Sequence, residues 1–264
     1  MIRDQMDGIL SLAVFYFVIV GIVGGVILAS TGIIGPVLVP LLLMFGISSN
    51  VVRGTALVSE LFMTSIYTLG HARERNIDKR VVLALLPGAI TVVLGANVSL
   101  QVPESSMNLA IGTLEMILGI ILVYTSIKRT NQRDVESTPV TRIVMSKLMV
   151  VAIFAGFAKG FFGIGWGPFV IGLLVLLGVK PQIAVGSSLV VRLLIDCLGG
   201  ISYASMNLVD VDIAVVLTVA GAITAVPAIK LATSASEKTS RLVLGGVITL
   251  LGALVTINAL TVIP

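Results

Sequence analysis

Long apolar runs separated by short polar breaks fill almost all of this 264-residue chain. In the first half they cover residues 9–30, 36–46, 51–70, 81–102 and 107–127, and in the second 148–163, 168–178, 183–204, 213–230 and 242–262. A helix rises 1.5 Å per residue and the hydrocarbon core of a bilayer is about 30 Å thick, so about 20 apolar residues cross it. Most runs approach that length, and the pattern predicts an all-α, polytopic membrane protein. Two runs, 36–46 and 168–178, hold 11 residues each. As helices they reach roughly half-way across and should begin near mid-membrane.

Those two short runs belong to a duplication. Gly35-Pro36 recurs as Gly167-Pro168, and Gly46 as Gly178, each 132 residues further on. At the same offset Asn50-Val51 meets Gln182-Ile183, Gly54-Thr55 meets Gly186-Ser187, and Asn76-Ile77-Asp78 meets Leu208-Val209-Asp210. After one inserted residue Gly88-Ala89-Ile90-Thr91 matches Gly221-Ala222-Ile223-Thr224, and Gly112 matches Gly245. The chain divides into a first membrane repeat (1–127), a linker (128–147) and a second repeat (148–264), each repeat with five apolar segments. An odd number makes the second copy enter the bilayer from the opposite side, so the repeats should have inverted topology.

Charge changes this picture in one respect, by orienting it. Lys and Arg gather on cytoplasmic loops. Residues 71–80 carry Arg73, Arg75, Lys79 and Arg80; residues 128–147 carry Lys128, Arg129, Arg133, Arg142 and Lys147; residues 230–241 carry Lys230, Lys238 and Arg241. The stretches 103–106 and 205–212 hold Glu104, Asp210 and Asp212 and no basic residue. One five-plus-five threading puts all the basic loops inside and both termini outside the cytoplasm, in a multi-pass protein of the cell (inner) membrane with a retained first helix.

Composition excludes several function classes. Charged residues are 11% and hydrophobic ones 57% of the chain, against roughly 25% charged in a soluble domain. The net charge of +4 is spread over short loops and points to no nucleic-acid partner. One cysteine (Cys197) and one histidine (His71) permit neither an intramolecular disulfide nor a thiolate or histidine metal site, and no cofactor is indicated. Both are read as structural, in packing and at a helix end. No Gly-x-x-x-x-Gly-Lys-Ser sequence supplies ATP drive within the chain. An intramembrane enzyme with Ser187 or Cys197 as nucleophile lacks a nearby base, so no enzyme activity is expected.

The candidate chemistry lies at the two interrupted helices. The turns around Thr31, Gly32 and Gly35, and around Gly163, Gly165, Trp166 and Gly167, leave irregular backbone at membrane depth, tolerated where it is buried in protein or lines a cavity. A half-helix beginning there presents free N–H groups and the positive end of its dipole to an anion, although glycines also serve close helix packing. Ionisable residues inside apolar runs are costly enough to be functional by default. Glu60, Glu115, Lys159, Arg192 and Asp196 stand out. Lys159 precedes Gly163 by one helical turn and points into the broken turn, or else snorkels to the interface. Glu60 and Arg192 are equivalent by the repeat and share a depth. Arg192 and Asp196 are one turn apart, which makes a charge cluster with either a structural or a coupling role, and Glu60 a candidate proton carrier. Glu115 has no charged counterpart and no assigned role. Thr55, Ser187 and Ser188 either donate to an anion or bond their own helix, Asn50 is an N-cap before it is a ligand, and Trp166 walls the cavity.

The sequence Gly163-Ile164-Gly165-Trp166-Gly167, the apolar run to Gly178 and then Ile183-Ala184-Val185-Gly186-Ser187-Ser188-Leu189 resemble the signature of the sulfite exporter TauE/SafE family. The first copy adds Val39-Pro40-Leu41, Gly54-Thr55 and Asn76-Ile77-Asp78, while Ile33-Ile34 and Gly172 depart from the family pattern. The resemblance implies a permease moving sulfite or small organosulfonates. With the repeats it gives the expectation of a secondary transporter, a small anion as substrate, H+ or Na+ as coupling ion, the lipid bilayer as surroundings and room for a homodimer. Permeases of other small anions, such as carboxylates, and a non-transporting scaffold are the alternatives.

Overall fold

The computed structural model describes residues 2–128, 142–177, 179–234 and 237–262, and among these the regular structure is helical throughout. In chain order the elements are α1 (Ile2–Thr31), α2 (Gly35–Met44), α3 (Ser49–Arg73), α4 (Lys79–Leu85), α5 (Pro87–Ser99), α6 (Glu104–Lys128), α7 (Arg142–Phe162), α8 (Trp166–Leu176), α9 (Pro181–Ser205), α10 (Val211–Ser234) and α11 (Glu237–Val262). Among the described residues, six helical stretches are long and apolar enough to cross a membrane. Gly178 and most of the 128–147 linker lie outside the described residues, as do the side chains of Arg142, Lys230, Lys238 and Arg241.

Each apolar run forms a helix, extended at its ends by polar residues, with one exception. Run 81–102 is two helices, α4 and α5, that meet at Leu86 and Pro87. Pro87 lacks the N–H that would continue the hydrogen-bond ladder, and its ring crowds the carbonyl four residues back, so the helix restarts there. The equivalent position in the second half is Ala220, inside the continuous α10.

The two interruptions are built by glycines in the left-handed region. Gly32 has φ +70°, and Gly163 and Gly165 have φ +77° and +112°, a conformation other L residues adopt with strain. Thr31 closes the first break: its hydroxyl donates to Ile27 O (2.8 Å) and accepts from Ile33 N (3.2 Å). Proline then falls in the first turn of both half-helices, where its missing N–H has no intrahelical acceptor to lose. α2 has 10 residues and α8 has 11, about 15–17 Å of helix.

The packing keeps its form when the two halves are exchanged. α1 packs on α10 as α7 packs on α5, α10 on α3 as α5 on α9, and α3 and α6 pack on their own counterparts, α9 and α11. Both of these self-paired sets run antiparallel. The start of α3 at Gly54 faces Tyr203 and Leu208 beyond the middle of α9, and the start of α9 at Gly186 faces Asn76 beyond the end of α3. In the α6–α11 pair, Gly112 faces Gly252 and Thr256, and in the exchanged contact Gly119 faces Gly245 and Thr249. Glycine at these four points lets the backbones touch, as small residues do in membrane helix pairs. Thr249 and Thr256 donate to Gly245 O (2.7 Å) and Gly252 O (2.8 Å) in their own helix, so close approach leaves no hydroxyl unpaired. The outer faces carry exposed Ile90, Leu94, Ile120, Ile121, Val219 and Ile223, an apolar girdle suited to lipid rather than water.

A side chain at the α6–α11 crossing has no room. Gly112→Val and Gly252→Val are each expected to lower stability by about 1–3 kcal/mol, the cost of overpacking. Gly246→Ala, which meets open space one residue from the seam, is expected to lower it not at all. Thermal unfolding in detergent reads both.

Candidate functional site

The backbone breaks bring four ionisable side chains into one buried group. Lys159, in the last turn of α7, donates from Nζ to Glu60 Oε2 (2.5 Å) and to Gly163 O (2.8 Å), a carbonyl freed by the second break. Arg192, from α9, donates through one terminal nitrogen to the same Glu60 Oε2 (2.5 Å) and through the other to Gly32 O (2.9 Å), in the first break. Arg192 Nε lies 3.4 Å from Asp196 Oδ2, near enough for attraction but not aligned for a hydrogen bond. Thr64 also donates to Asp196 Oδ2 (3.4 Å). Glu60 and Asp196 are wholly buried, Lys159 and Arg192 are 2% exposed, and the two cations and two carboxylates sum to zero. Each cation therefore ties one broken turn to one shared carboxylate.

Glu60 and Arg192, and likewise Thr64 and Asp196, are 132 residues apart and repeat-equivalent, yet each pair is in direct contact. Contact between equivalent positions is what an exchange axis running between α3 and α9 produces. The half-helix ends converge on the same place. A Cβ at Gly35, the first residue of α2, would stand 3.1 Å from Gly163 O and 3.2 Å from both Glu60 Oε1 and Lys159 Nζ. One at Gly167, in the first turn of α8, would meet Ile33 of the first break. The carboxylate of Glu60 thus lies against the amino end of α2, where partial positive charge favours an anion. Its Oε1 has no hydrogen-bond partner.

Arg53 is a further buried cation that the sequence analysis passed over. From α3 it donates to Ser49 O (2.9 Å), to Phe161 O (2.5 Å) and to Asn50 Oδ1, and its guanidinium lies 5.7 Å from the centre of the Tyr203 ring. Tyr203 donates to Gly160 O (2.8 Å) and contacts Ser99 Oγ at 3.0 Å. Arg53, Tyr203 and Lys159 between them satisfy the carbonyls of Gly160, Phe161 and Gly163 at the end of α7. Asn50 serves Arg53 rather than capping its helix. The signal that marked Glu60, a charge inside an apolar run, applies equally to Arg53 within run 51–70.

The hydroxyls divide between two other tasks. Thr55 Oγ1 accepts from Asp210 N (2.9 Å), and Ser187 Oγ accepts from Asp78 N (2.9 Å). These are the same bond in exchanged halves. The aspartates cap the following helices, Asp78 through Arg80 N (2.7 Å) and Asp210 through Ile213 N (3.0 Å). A Cβ at Gly54 or Gly186 would collide with Leu208 O or Asn76 O, which explains glycine before each hydroxyl. Ser188 Oγ accepts from Trp166 Nε1 (3.1 Å), and the indole packs on Gly88 in a cluster with Val81, Leu85 and Leu148. So the structure brings together Gly32, Gly35, Glu60, Lys159, Gly163, Arg192 and Asp196, with Thr31 and Gly167 beside them. Thr55, Ser187, Ser188 and the ring of Trp166 bind other protein groups. Glu115 is fully buried on α6 against Gly252 with neither oxygen bonded, Cys197 is a half-buried free thiol on α9, and His71 sits in the last turn of α3.

The profile of the Sulfite exporter TauE/SafE family matches residues 17–255. "Probable membrane transporter protein YdhB" of Bacillus subtilis is 29% identical over 204 residues, 75% of this chain and 80% of that protein. A "Probable membrane transporter protein" of Xylella fastidiosa is 28% identical over 206 residues, 75% of this chain and 78% of its own length. "Probable membrane transporter protein YtnM" of Bacillus subtilis is 28% identical over 175 residues, 65% of this chain and 57% of that protein. No solved structure matches the chain.

Because the four charges balance, removing one partner should cost more than removing a matched pair. Arg192→Gln leaves two carboxylates facing one lysine and is expected to destabilise by about 3–5 kcal/mol. Glu60→Gln combined with Arg192→Gln restores neutrality and is expected to lose clearly less than the sum of the single changes. A double-mutant cycle on detergent unfolding measures the difference, and additive losses contradict the cluster.

Proposed function

We propose, for a chain that belongs to the sulfite exporter TauE/SafE family, the transport of small sulfur-containing anions such as sulfite and organosulfonates by alternating access. Family and relatives make it a membrane transporter with multiple spans. The observation that carries the finer reading is the meeting of both helix breaks at Lys159, Glu60 and Arg192.

A membrane interior receives an anion only where positive groups replace its water. Here two buried cations and the amino end of α2 converge, and glycine at position 35 removes the side chain that would block approach to the backbone. The ammonium and the guanidinium edge together match an oxyanion head with several oxygens, which a sulfonate or sulfite offers. Glu60 already demonstrates that a negative group is held at this place.

Alternating access is supported by the exchange symmetry. Equivalent helices α3 and α9 run antiparallel, as do α6 and α11, which fits two repeats inserted in opposite senses in the inner membrane. The clasps Thr55–Asp210 and Ser187–Asp78 lie at opposite ends of the α3–α9 pair. With both engaged the cluster is buried, so entry of substrate requires one half to rock away from the other. Rigid-body motion about the central site opens one end at a time.

Thermal stabilisation of the purified protein tests the substrate class. Isethionate and sulfite are expected to raise stability, by about 2.7 kcal/mol at a hundredfold excess over Kd, and acetate to raise it less. Lys159→Gln is expected to raise the Kd read from this response at least tenfold, which lowers the stabilisation at the same concentration to about 1.4 kcal/mol or less. A response to carboxylates alone, or to no anion, overturns the reading.

A further inference from the structure

The carboxylate of Glu60 occupies the space that an anion needs. Its Oε2 receives both Lys159 Nζ and Arg192 at 2.5 Å, and its Oε1 faces Gly35 at the start of α2 with no partner. We infer that Glu60 is a resident anion of the site, that a substrate monoanion displaces it as Glu60 takes up one proton, and that H+ is therefore the coupling ion. The inference rests on the anion site proposed above and adds to it the coupling ion, the stoichiometry and the charge of the substrate.

Charge balance carries the argument. Lys159, Arg192, Glu60 and Asp196 form a neutral set with all four side chains at most 3% exposed. Adding a monoanion to that set leaves one uncompensated negative charge in an apolar interior, which is strongly unfavourable. Protonating Glu60 restores neutrality, and it frees both cations, because a neutral carboxyl no longer binds the ammonium and guanidinium as an ion pair. The hydrogen bonds of Lys159 and Arg192 pass from Glu60 Oε2 to the oxygens of the substrate. The proton and the anion then move together, one of each, with no net charge transferred.

At rest Asp196 is the less tightly held carboxylate, with Oδ1 unpartnered and Oδ2 3.4 Å from both Arg192 Nε and Thr64. Once the anion has taken Lys159 and Arg192, Glu60 is the carboxylate left without a cation while Asp196 stays beside Arg192, so the proton goes to Glu60. Among the described residues no other helix packed on α3 brings a charge to the cluster, and Arg53 of α3 itself is engaged by Ser49 O, Phe161 O and Asn50 Oδ1. α2 has no titratable residue, Asp212 of α10 is exposed at that helix's start, and on α6 Glu104 accepts from Ser49 N while Glu115 has no hydrogen bond. Sodium fits badly for the same electrostatic reason: two cations 2.5 Å from the carboxylate repel a third, whereas a proton forms a bond to one oxygen. A dianion such as sulfate leaves the site negative even after protonation and should be rejected.

Two measurements on the full chain in detergent or lipid vesicles decide the matter. A pH-sensitive dye in weak buffer reports proton uptake when isethionate binds, and calorimetric titration reports its affinity at several pH values. The expected result is one proton taken up per isethionate and affinity rising about tenfold for each unit fall in pH while Glu60 is ionised in the free protein. Glu60→Gln, permanently neutral at this position, should take up no proton and show an affinity that no longer changes with pH. Sulfate should compete poorly. Isethionate binding without proton uptake, or vesicle uptake driven by a sodium gradient or by membrane potential alone, overturns the coupling and leaves the anion site standing. Failure of isethionate, sulfite and other small anions to bind at all overturns both.

Discussion

Four buried charges meet between α3, α7 and α9, and the remainder of the architecture is arranged so that they can. Unpaired, any one of Glu60, Lys159, Arg192 and Asp196 would be intolerable in an apolar interior. Together they are neutral, and two of them also bond to carbonyls at Gly32 and Gly163 that the interrupted helices leave without partners. The same contacts therefore resolve two separate costs, buried charge and broken backbone. Thr31 at the first break, and Arg53 and Tyr203 at the second, satisfy further backbone groups, and the cations complete both.

Symmetry fixes where this happens. Glu60 and Arg192 hold equivalent places in the two halves but carry opposite charge, so their contact across the exchange axis is attractive where two identical residues would repel. Thr64 and Asp196 repeat the arrangement one turn along. Away from the axis the halves remain alike: Thr55 and Ser187 accept the same bond from Asp210 and Asp78, and glycine lies at mirrored points of the α6–α11 seam. The two halves are thus alike at their joints and divergent at their centre, where two identical charges would repel.

The sequence displayed the repeats, the ten apolar runs and both breaks plainly, because hydrophobic length and Gly-Pro spacing are local properties of the chain. Glu60 and Arg192 were recognisable as equivalent, yet equivalence alone does not say that two residues touch. That required the antiparallel crossing of α3 and α9, a tertiary fact. For the same reason Thr55 and Ser187 resembled ligands. Their actual partners are backbone amides 155 and 109 residues away, which no spacing reveals. Arg53 carried the same signal as Glu60, but its burial against the end of α7 is a tertiary fact, and the division of run 81–102 turned on Pro87, whose counterpart in the other half is alanine.

A cluster that holds its own carboxylate between two cations is neutral without a bound anion, and the mirrored Thr55–Asp210 and Ser187–Asp78 bonds close the two ends of the α3–α9 pair. The claim at the centre of this account is that the foreign anion lies where Glu60 now sits. Anomalous scattering from bromine in a crystal of the protein grown with 2-bromoethanesulfonate locates that anion directly. The account predicts a peak beside Gly35, Lys159 and Arg192, with the Glu60 side chain turned away. A bound anion elsewhere, with the Glu60–Arg192 pair intact, would contradict it.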